Sequence, residues 1–361
     1  MPKLRILRAT ICAKVAENFR RAPKTVKLQL INWGVVICIC VCFTSTPVSG
    51  SELYLLGGVT RSSDGSTPGW QLSYWEDLGD YFACSVSWIN EGHLTGHHRD
   101  GPACQFWGRT NLLKGKLSLA GGVGPYLFFD TLQTGGSLYK DIQHGWAGVG
   151  SLAVTWHTES GWLVQLLGNY VVAESNINTG SILLGIGYDL DKLGRQDPIR
   201  SVKPQPATDG DNGVKDMNNE ITVFLGGATI NASKSSQTSI ATGIEYRRNI
   251  IPYLDWTIGW LYEGDMDLLR RGGLTTQFWP TKSFLDHRIS LGMGLGMYVA
   301  LDTRYPAGPG EDEDETILGL ITPTISYRFG ESWLVRLSWN RTVSRYDRDT
   351  DVILMGIGYR F

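Results

Sequence analysis

From about residue 50 onward, large apolar residues take turns with small or polar ones in segments of roughly ten residues. Gly-, Asp- and Asn-rich turns separate the segments. The pattern is sharpest at 117–130, where Leu117, Leu119, Val123, Leu127 and Phe129 share one face. Ser118, Ala120, Gly122, Gly124, Tyr126 and Asp130 share the other. At 289–302, Ile289, Leu291, Met293, Leu295, Met297, Val299 and Leu301 oppose Ser290, Gly292, Gly294, Gly296, Tyr298, Ala300 and Asp302. Alternation this long exceeds an ordinary soluble strand of about 5–6 residues. It suits a tilted strand that crosses a bilayer and continues beyond it.

Sixteen such segments are predicted as strands, near 52–61, 69–77, 80–92, 101–111, 115–130, 145–157, 161–173, 179–190, 220–231, 240–249, 254–265, 272–281, 287–303, 316–328, 332–344 and 351–361. Nothing else in the chain is available to cover their apolar faces, so lipid is the expected cover. In lipid only helices and closed barrels satisfy their backbone groups. Trp and Tyr at strand ends (Trp88, Trp107, Trp162, Trp279, Trp333, Tyr359) suit aromatic girdles at the membrane interfaces. Short connections such as EDLGD, LLKGK and TESG alternate with longer ones such as GHLTGHHRD and LQTGGSLYKDIQH. The expected fold class is therefore all-β, made of transmembrane antiparallel up-and-down β-barrels.

The pattern is also written twice. YFACSVSWINEG (81–92) returns as YLDWTIGWLYEG (253–264), and KLSLAGGVGPYLFFDT (116–131) as RISLGMGLGMYVALDT (288–303). SILLGIGYDL (181–190) returns as VILMGIGYRF (352–361). The repeat divides the chain into a first barrel at 51–190, a polar, Pro-containing periplasmic linker at 191–219, and a second barrel at 220–361. Two barrels of eight strands are expected, with a single sixteen-stranded barrel as the alternative. A wide barrel encloses water and presents charge inward, whereas the inward residues here are mostly small, and the linker is long for a turn.

Residues 1–50 read as a signal peptide, with eight Lys/Arg over 3–27, an apolar run from Leu28 to Phe43, and small residues at Val48 and Gly50. Without them, 25 Lys/Arg stand against 34 Asp/Glu, a net charge of −9. An acidic exported protein is a poor partner for nucleic acid, and none is expected. Only Cys84 and Cys104 of the six cysteines remain, too few for a disulfide-built scaffold. Both fall on the outward face of neighbouring strands, where a cross-strand disulfide and two lipid-facing small residues are equal readings.

The terminal YRF, with Phe361 last and Tyr359 two before it, resembles the assembly signal of Gram-negative outer-membrane proteins. That resemblance implies the cell outer membrane, contact with its lipid and lipopolysaccharide, and recognition by the barrel-assembly machinery through Tyr359 and Phe361. The layout of each copy also resembles the small-barrel group that includes the lipid A 3-O-deacylases, whose seventh strand carries a His-x-Ser pair. The matching strands here read LVQLLGNYVVAES and LVRLSWNRTVSRY, with Gly168, Asn169 and Tyr170 or Trp339, Asn340 and Arg341 at the corresponding place. Both lack the His, so the deacylase mechanism is not carried over.

Certain inward polar residues recur in both copies: Glu91 and Glu263, Gln105 and Gln277, Tyr126 and Tyr298, Asp130 and Asp302, Asn169 and Asn340, with Arg99 and Arg271 at the loop end of the fourth strand. They are candidates for a ligand pocket at the outer mouth or for the hydrogen-bonded filling of a narrow barrel, and a shared packing need favours the second. His93, His97 and His98 share the expected loop GHLTGHHRDG near Asp100, and His144 lies in the next long loop. A metal site or a His–carboxylate base is the alternative to plain surface histidines. The second copy lacks these histidines, and no metal, cofactor or catalytic residue is assigned. The acidic run at 311–315 is expected to be a solvated loop. The expected role is structural or interactive at the cell surface, without catalysis. A passive pore and a lipid-modifying hydrolase are the alternatives.

Overall fold

The structure, a computed structural model, describes residues 50–361 apart from 64, 95, 133–140, 174–176, 194–217, 232–235, 252, 267–268, 286, 305–315 and 345–348. The expected export signal, nearly all of the linker and the acidic run at 311–315 fall outside the described residues.

Sixteen strands account for almost everything else. In the first copy they are β1 (Ser51–Ser62), β2 (Gly65–Asp77), β3 (Phe82–Leu94), β4 (His97–Leu112), β5 (Leu117–Leu132), β6 (Asp141–His157), β7 (Trp162–Ala173) and β8 (Thr179–Asp189). The second copy holds β9 (Asn219–Asn231), β10 (Ser236–Ile251), β11 (Leu254–Asp265), β12 (Arg270–Phe284), β13 (Ile289–Arg304), β14 (Ile317–Phe329), β15 (Trp333–Val343) and β16 (Thr350–Arg360).

Each strand pairs antiparallel with its neighbour in sequence, and each copy closes on itself. β1 pairs with β8, from Glu52 opposite Asp189 to Arg61 opposite Gly180. β16 pairs with β9, from Thr350 opposite Ile230 to Arg360 opposite Glu220. The chain is thus two eight-stranded barrels, and the single sixteen-stranded closure is excluded.

Alternation sorts side chains to the two faces of each wall. Leu55, Val59, Ile182, Leu184 and Ile186 stand exposed side by side on β1 and β8. Val223, Leu225, Ile353, Met355 and Ile357 do the same on β9 and β16. Apolar surface on this scale belongs in hydrocarbon, not water. At the short-turn end Trp162 meets Tyr188 edge-on, with ring centroids 5.3 Å apart. Their second-copy counterparts Trp333 and Tyr359 repeat the arrangement at 5.1 Å. This is one band of an aromatic girdle, built twice. Trp107 and Trp279 depart from the expected girdle and point into the lumens, and Trp88 is buried against Trp339.

Inside, small residues make room for large ones. A side chain at Gly122 or Gly294 would collide with the buried indole of Trp107 or Trp279. The lumen of each barrel is therefore side chain, as an eight-stranded wall requires.

One expected loop is not a loop. The segment containing His93, His97 and His98 is the paired end of β3 and β4, with a turn at Gly96. His93 lies opposite His98 and Leu94 opposite His97, past a bulge after Asn90. Gly92 and Gly96 sit at φ of 76° and 79°, the left-handed backbone that such a bulge and turn require and that glycine supplies without strain.

Candidate functional site

The interior polar residues form layers stacked along each barrel axis, and the layers recur from copy to copy. Nearest the long-loop end is an ion pair. In the first barrel Arg99, on β4, meets Glu91, on β3, through Nε–Oε1 at 3.0 Å and Nη2–Oε2 at 2.6 Å. Its guanidinium also donates to Thr179 Oγ1 at 2.9 Å and to the Ile177 carbonyl at 2.7 Å. The second barrel sets Arg271 against Glu263 at 2.9 Å and against Thr342 and Thr350 at 2.8 and 2.9 Å. Both arginines are 0 % exposed, so each pair spans its lumen out of reach of water. Paired, hydrogen-bonded charge of this kind is the form in which buried ions are tolerated.

One layer deeper runs a chain of neutral donors and acceptors. Gln105 Nε2 donates to Ser151 Oγ at 2.9 Å, and Ser151 donates to Asn169 Oδ1 at 2.7 Å. In the second copy Gln277 reaches Thr322 at 3.0 Å, and Thr322 reaches Asn340 at 2.9 Å. Asn169 continues to Gln71 at 2.9 Å, whereas Asn340 donates to the Val352 carbonyl at 3.3 Å. Deeper still, Trp107 donates to Ser85 at 2.8 Å and Trp279 to Thr257 at 2.9 Å.

Tyr126 and Tyr298 are also fully buried, and the Tyr298 hydroxyl donates to the Leu261 carbonyl at 3.1 Å. Asp130 is buried and meets His97 Nδ1 at 2.7 Å. Its counterpart Asp302 departs from the expected inward position. A bulge at Gly272/Gly273 breaks the register, and Asp302 stands 48 % exposed beside Arg270, 2.8 Å away.

The alternation also carried charged residues that the comparison of copies did not single out. At the short-turn end of the first barrel, Arg109 lies 2.5 Å from Asp77 and 3.3 Å from Glu52. In the second, Arg336 bridges Glu220 at 2.6 Å and Glu245 at 2.9 Å. Arg247 lies 4.1 Å above the Trp279 ring, where the first copy stacks Trp75 on Trp107 at 4.0 Å. Parity alone points to them, since Arg109 follows Trp107 by two and Arg336 precedes Ser338 by two.

The four histidines do not converge on one site. His93 and His98 stack at 4.1 Å, His97 is held by Asp130, and His144 Nε2 lies 2.9 Å from Asp349. Among the described residues no three His, Cys, Asp or Glu side chains are grouped to hold a metal. Cys84 stands opposite Phe106 and Cys104 opposite Val86, and Cys104 is a buried thiol instead of one half of a bridge to Cys84. A cavity of about 30 Å³ lies beside Gln277, Trp279, Thr322 and Asn340. It has room for one or two water molecules.

Closed antiparallel barrels with an apolar outer wall, an aromatic band and a packed polar interior define an integral outer-membrane β-barrel protein. No protein-family model and no curated protein sequence matches the chain. Among solved structures it is similar to the N-terminal β-barrel domain of Pseudomonas aeruginosa OprF, at 11 % identity and a TM-score of 0.33, covering 39 % of this chain and 97 % of that one. It is also similar to Ail, the attachment invasion locus protein of Yersinia pestis, at 12 % identity and a TM-score of 0.31, covering 39 % and 99 %. Neisserial surface protein A matches at 14 % identity and a TM-score of 0.29, covering 38 % and 95 %.

Proposed function

We propose that the chain is a non-conducting double barrel of the outer membrane with a structural or surface-interaction role. One observation carries this reading: the Glu–Arg–Thr layer crosses both lumens, and its two arginines are fully buried. A channel needs a continuous water path, and side chains at interior packing density supply none. In planar bilayers the purified protein is expected to leave the membrane insulating. Stable openings on the order of those of general porins would overturn the proposal.

The same reading assigns outer-membrane lipid and lipopolysaccharide to the exposed apolar wall. It assigns the barrel-assembly machinery to the carboxyl end, where Tyr359 and Phe361 are both exposed. The interior polar residues then serve as filling. The Gln–Thr–Asn chain of the second barrel is closed by internal partners, which is what a buried network needs to be stable, whereas in the first barrel the Gln105 Oε1 meets no hydrogen-bond donor among the described residues.

A further inference from the structure

Two kinds of position behave differently when the copies are compared. The interior Glu–Arg pair and the Gln–Asn layer are kept. Some outward ones have changed character altogether, and these are the residues that meet where the barrels touch.

The seam joins β2–β5 of the first barrel to β12–β15 of the second. Its middle is apolar, with Val86, Cys104 and Leu127 among the residues clustered against Met293, Leu295 and Ile321. A polar contact closes it at each end. At the short-turn end Lys282 Nζ lies 2.5 and 2.6 Å from the two oxygens of Glu76 and 2.9 Å from Ser51 Oγ. At the long-loop end Arg341 binds Asp351 of its own barrel at 2.6 Å and comes within 3.9 Å of Asp100 on the other. Its guanidinium lies 5.5 Å from the centre of the Phe129 ring. Trp88 and Trp339 pack with centroids 4.5 Å apart, and their indole nitrogens donate to Asp100 and Asp351 at 3.2 and 2.9 Å. His144 reaches across to Asp349.

These side chains all project from the outward faces, where lipid would otherwise be. Glu76 is 0 % exposed and Arg341 6 % exposed only because the other barrel covers them. The counterparts of Lys282, Trp339, Arg341 and Asp351 in the first copy are Thr110, Gly168, Tyr170 and Gly180. The counterparts of Glu76 and Asp100 in the second are Arg248 and Gly272. Where no partner barrel sits, Tyr170, Trp260 and Ile258 are exposed and of the lipid-facing kind. The exposed Arg248 shows that charge is tolerated at this strand end, so it is the burial of Glu76 against Lys282, and not charge alone, that marks a face meeting protein.

We propose that the two barrels are docked side by side in the membrane plane as a stable intramolecular pair, its register set by the polar contacts at the two ends of the seam. The faces used are not equivalent, because β12–β15 correspond to β4–β7 of the first copy. Head-to-tail contacts of this sort propagate when both faces exist on every unit. Here each copy carries only one of them, so association stops at two barrels.

The test uses the full chain with a protease site and an affinity tag in the linker, the tag on the second-barrel side of the cut. After folding into mild detergent and cleavage, the tagged second barrel is expected to retain the first in about equal amount, at the mass of a single pair. Glu76→Lys alone is expected to cut retention about tenfold, and Glu76→Lys with Lys282→Glu to restore it. Heat-dependent gel mobility of each half shows that both remain folded in every variant. Loss of the first barrel from the unsubstituted protein, or no recovery in the double reversal with both halves folded, overturns the proposal. Assemblies larger than one pair overturn the closed pairing.

Discussion

Arg271 shows how a single side chain holds a barrel shut. It is fully buried, takes the Glu263 carboxylate on one side and donates to Thr342 and Thr350 on the other. Arg271→Leu would strand Glu263 as an unpaired buried charge, at a cost of about 3–5 kcal/mol. Urea unfolding in detergent is expected to show that loss, and Arg271→Leu with Glu263→Leu to recover most of it, since removing both charges removes the desolvation burden. A second residue works through pH. Burial pushes the Asp349 carboxyl up, but the His144 hydrogen bond and the Arg341 charge outweigh it and hold it below its ordinary value of 3.8. A depressed carboxylate contributes stability in full above the unfolded value, and that contribution is lost as pH falls through the folded one. Asp349→Asn is therefore expected to flatten the acid limb of the stability profile below about pH 4, seen as a smaller drop in unfolding midpoint than the parent shows.

At the scale of the strand, parity decides almost everything, since one residue of slip exchanges the lipid face for the lumen. Met355 is central in β16 and 64 % exposed, so it samples hydrocarbon and not packing. Met355→Arg is expected to destabilise the second barrel by about 2–4 kcal/mol, while Met355→Leu stays near neutral by the same measurement. The ends of strands obey other rules. Asp130 and Asp302 occupy the same place in the repeat, yet a bulge at Gly272/Gly273 turns Asp302 out to Arg270, while Asp130 stays in against His97. The ladder passes from Gly273 opposite Ala300 to Gly272 opposite Asp302, so Leu301 is the extra residue, and one added residue is enough to exchange the faces beyond it.

For the whole molecule, closure of each ladder within its own copy makes the barrels separate units of backbone hydrogen bonding. A lesion in one interior should therefore be felt mainly there. Arg271→Leu is expected to lower the second barrel's unfolding midpoint while the first barrel's transition moves little, which limited proteolysis along a urea series would resolve. Simultaneous loss of both barrels in a single shifted transition would show instead that the seam fuses them into one cooperative unit.

The sequence by itself determined the two-residue alternation of the strands, how many strands there are, and the polar residues that recur inside both lumens. Those features are local, because a two-residue period and an internal repeat are visible without knowing what touches what. Gln105, Asn169 and Arg99 were legible because their second-copy partners stand at the same step. Arg109 and Arg336 were harder, having no matching charge in the other copy. The closure of β8 onto β1 instead of β9, the turning out of Asp302, and the meeting of Glu76 with Lys282 were decided only in three dimensions. Each depends on residues far apart along the chain, and an outward glutamate looks the same in a sequence whether lipid or a second barrel lies beyond it.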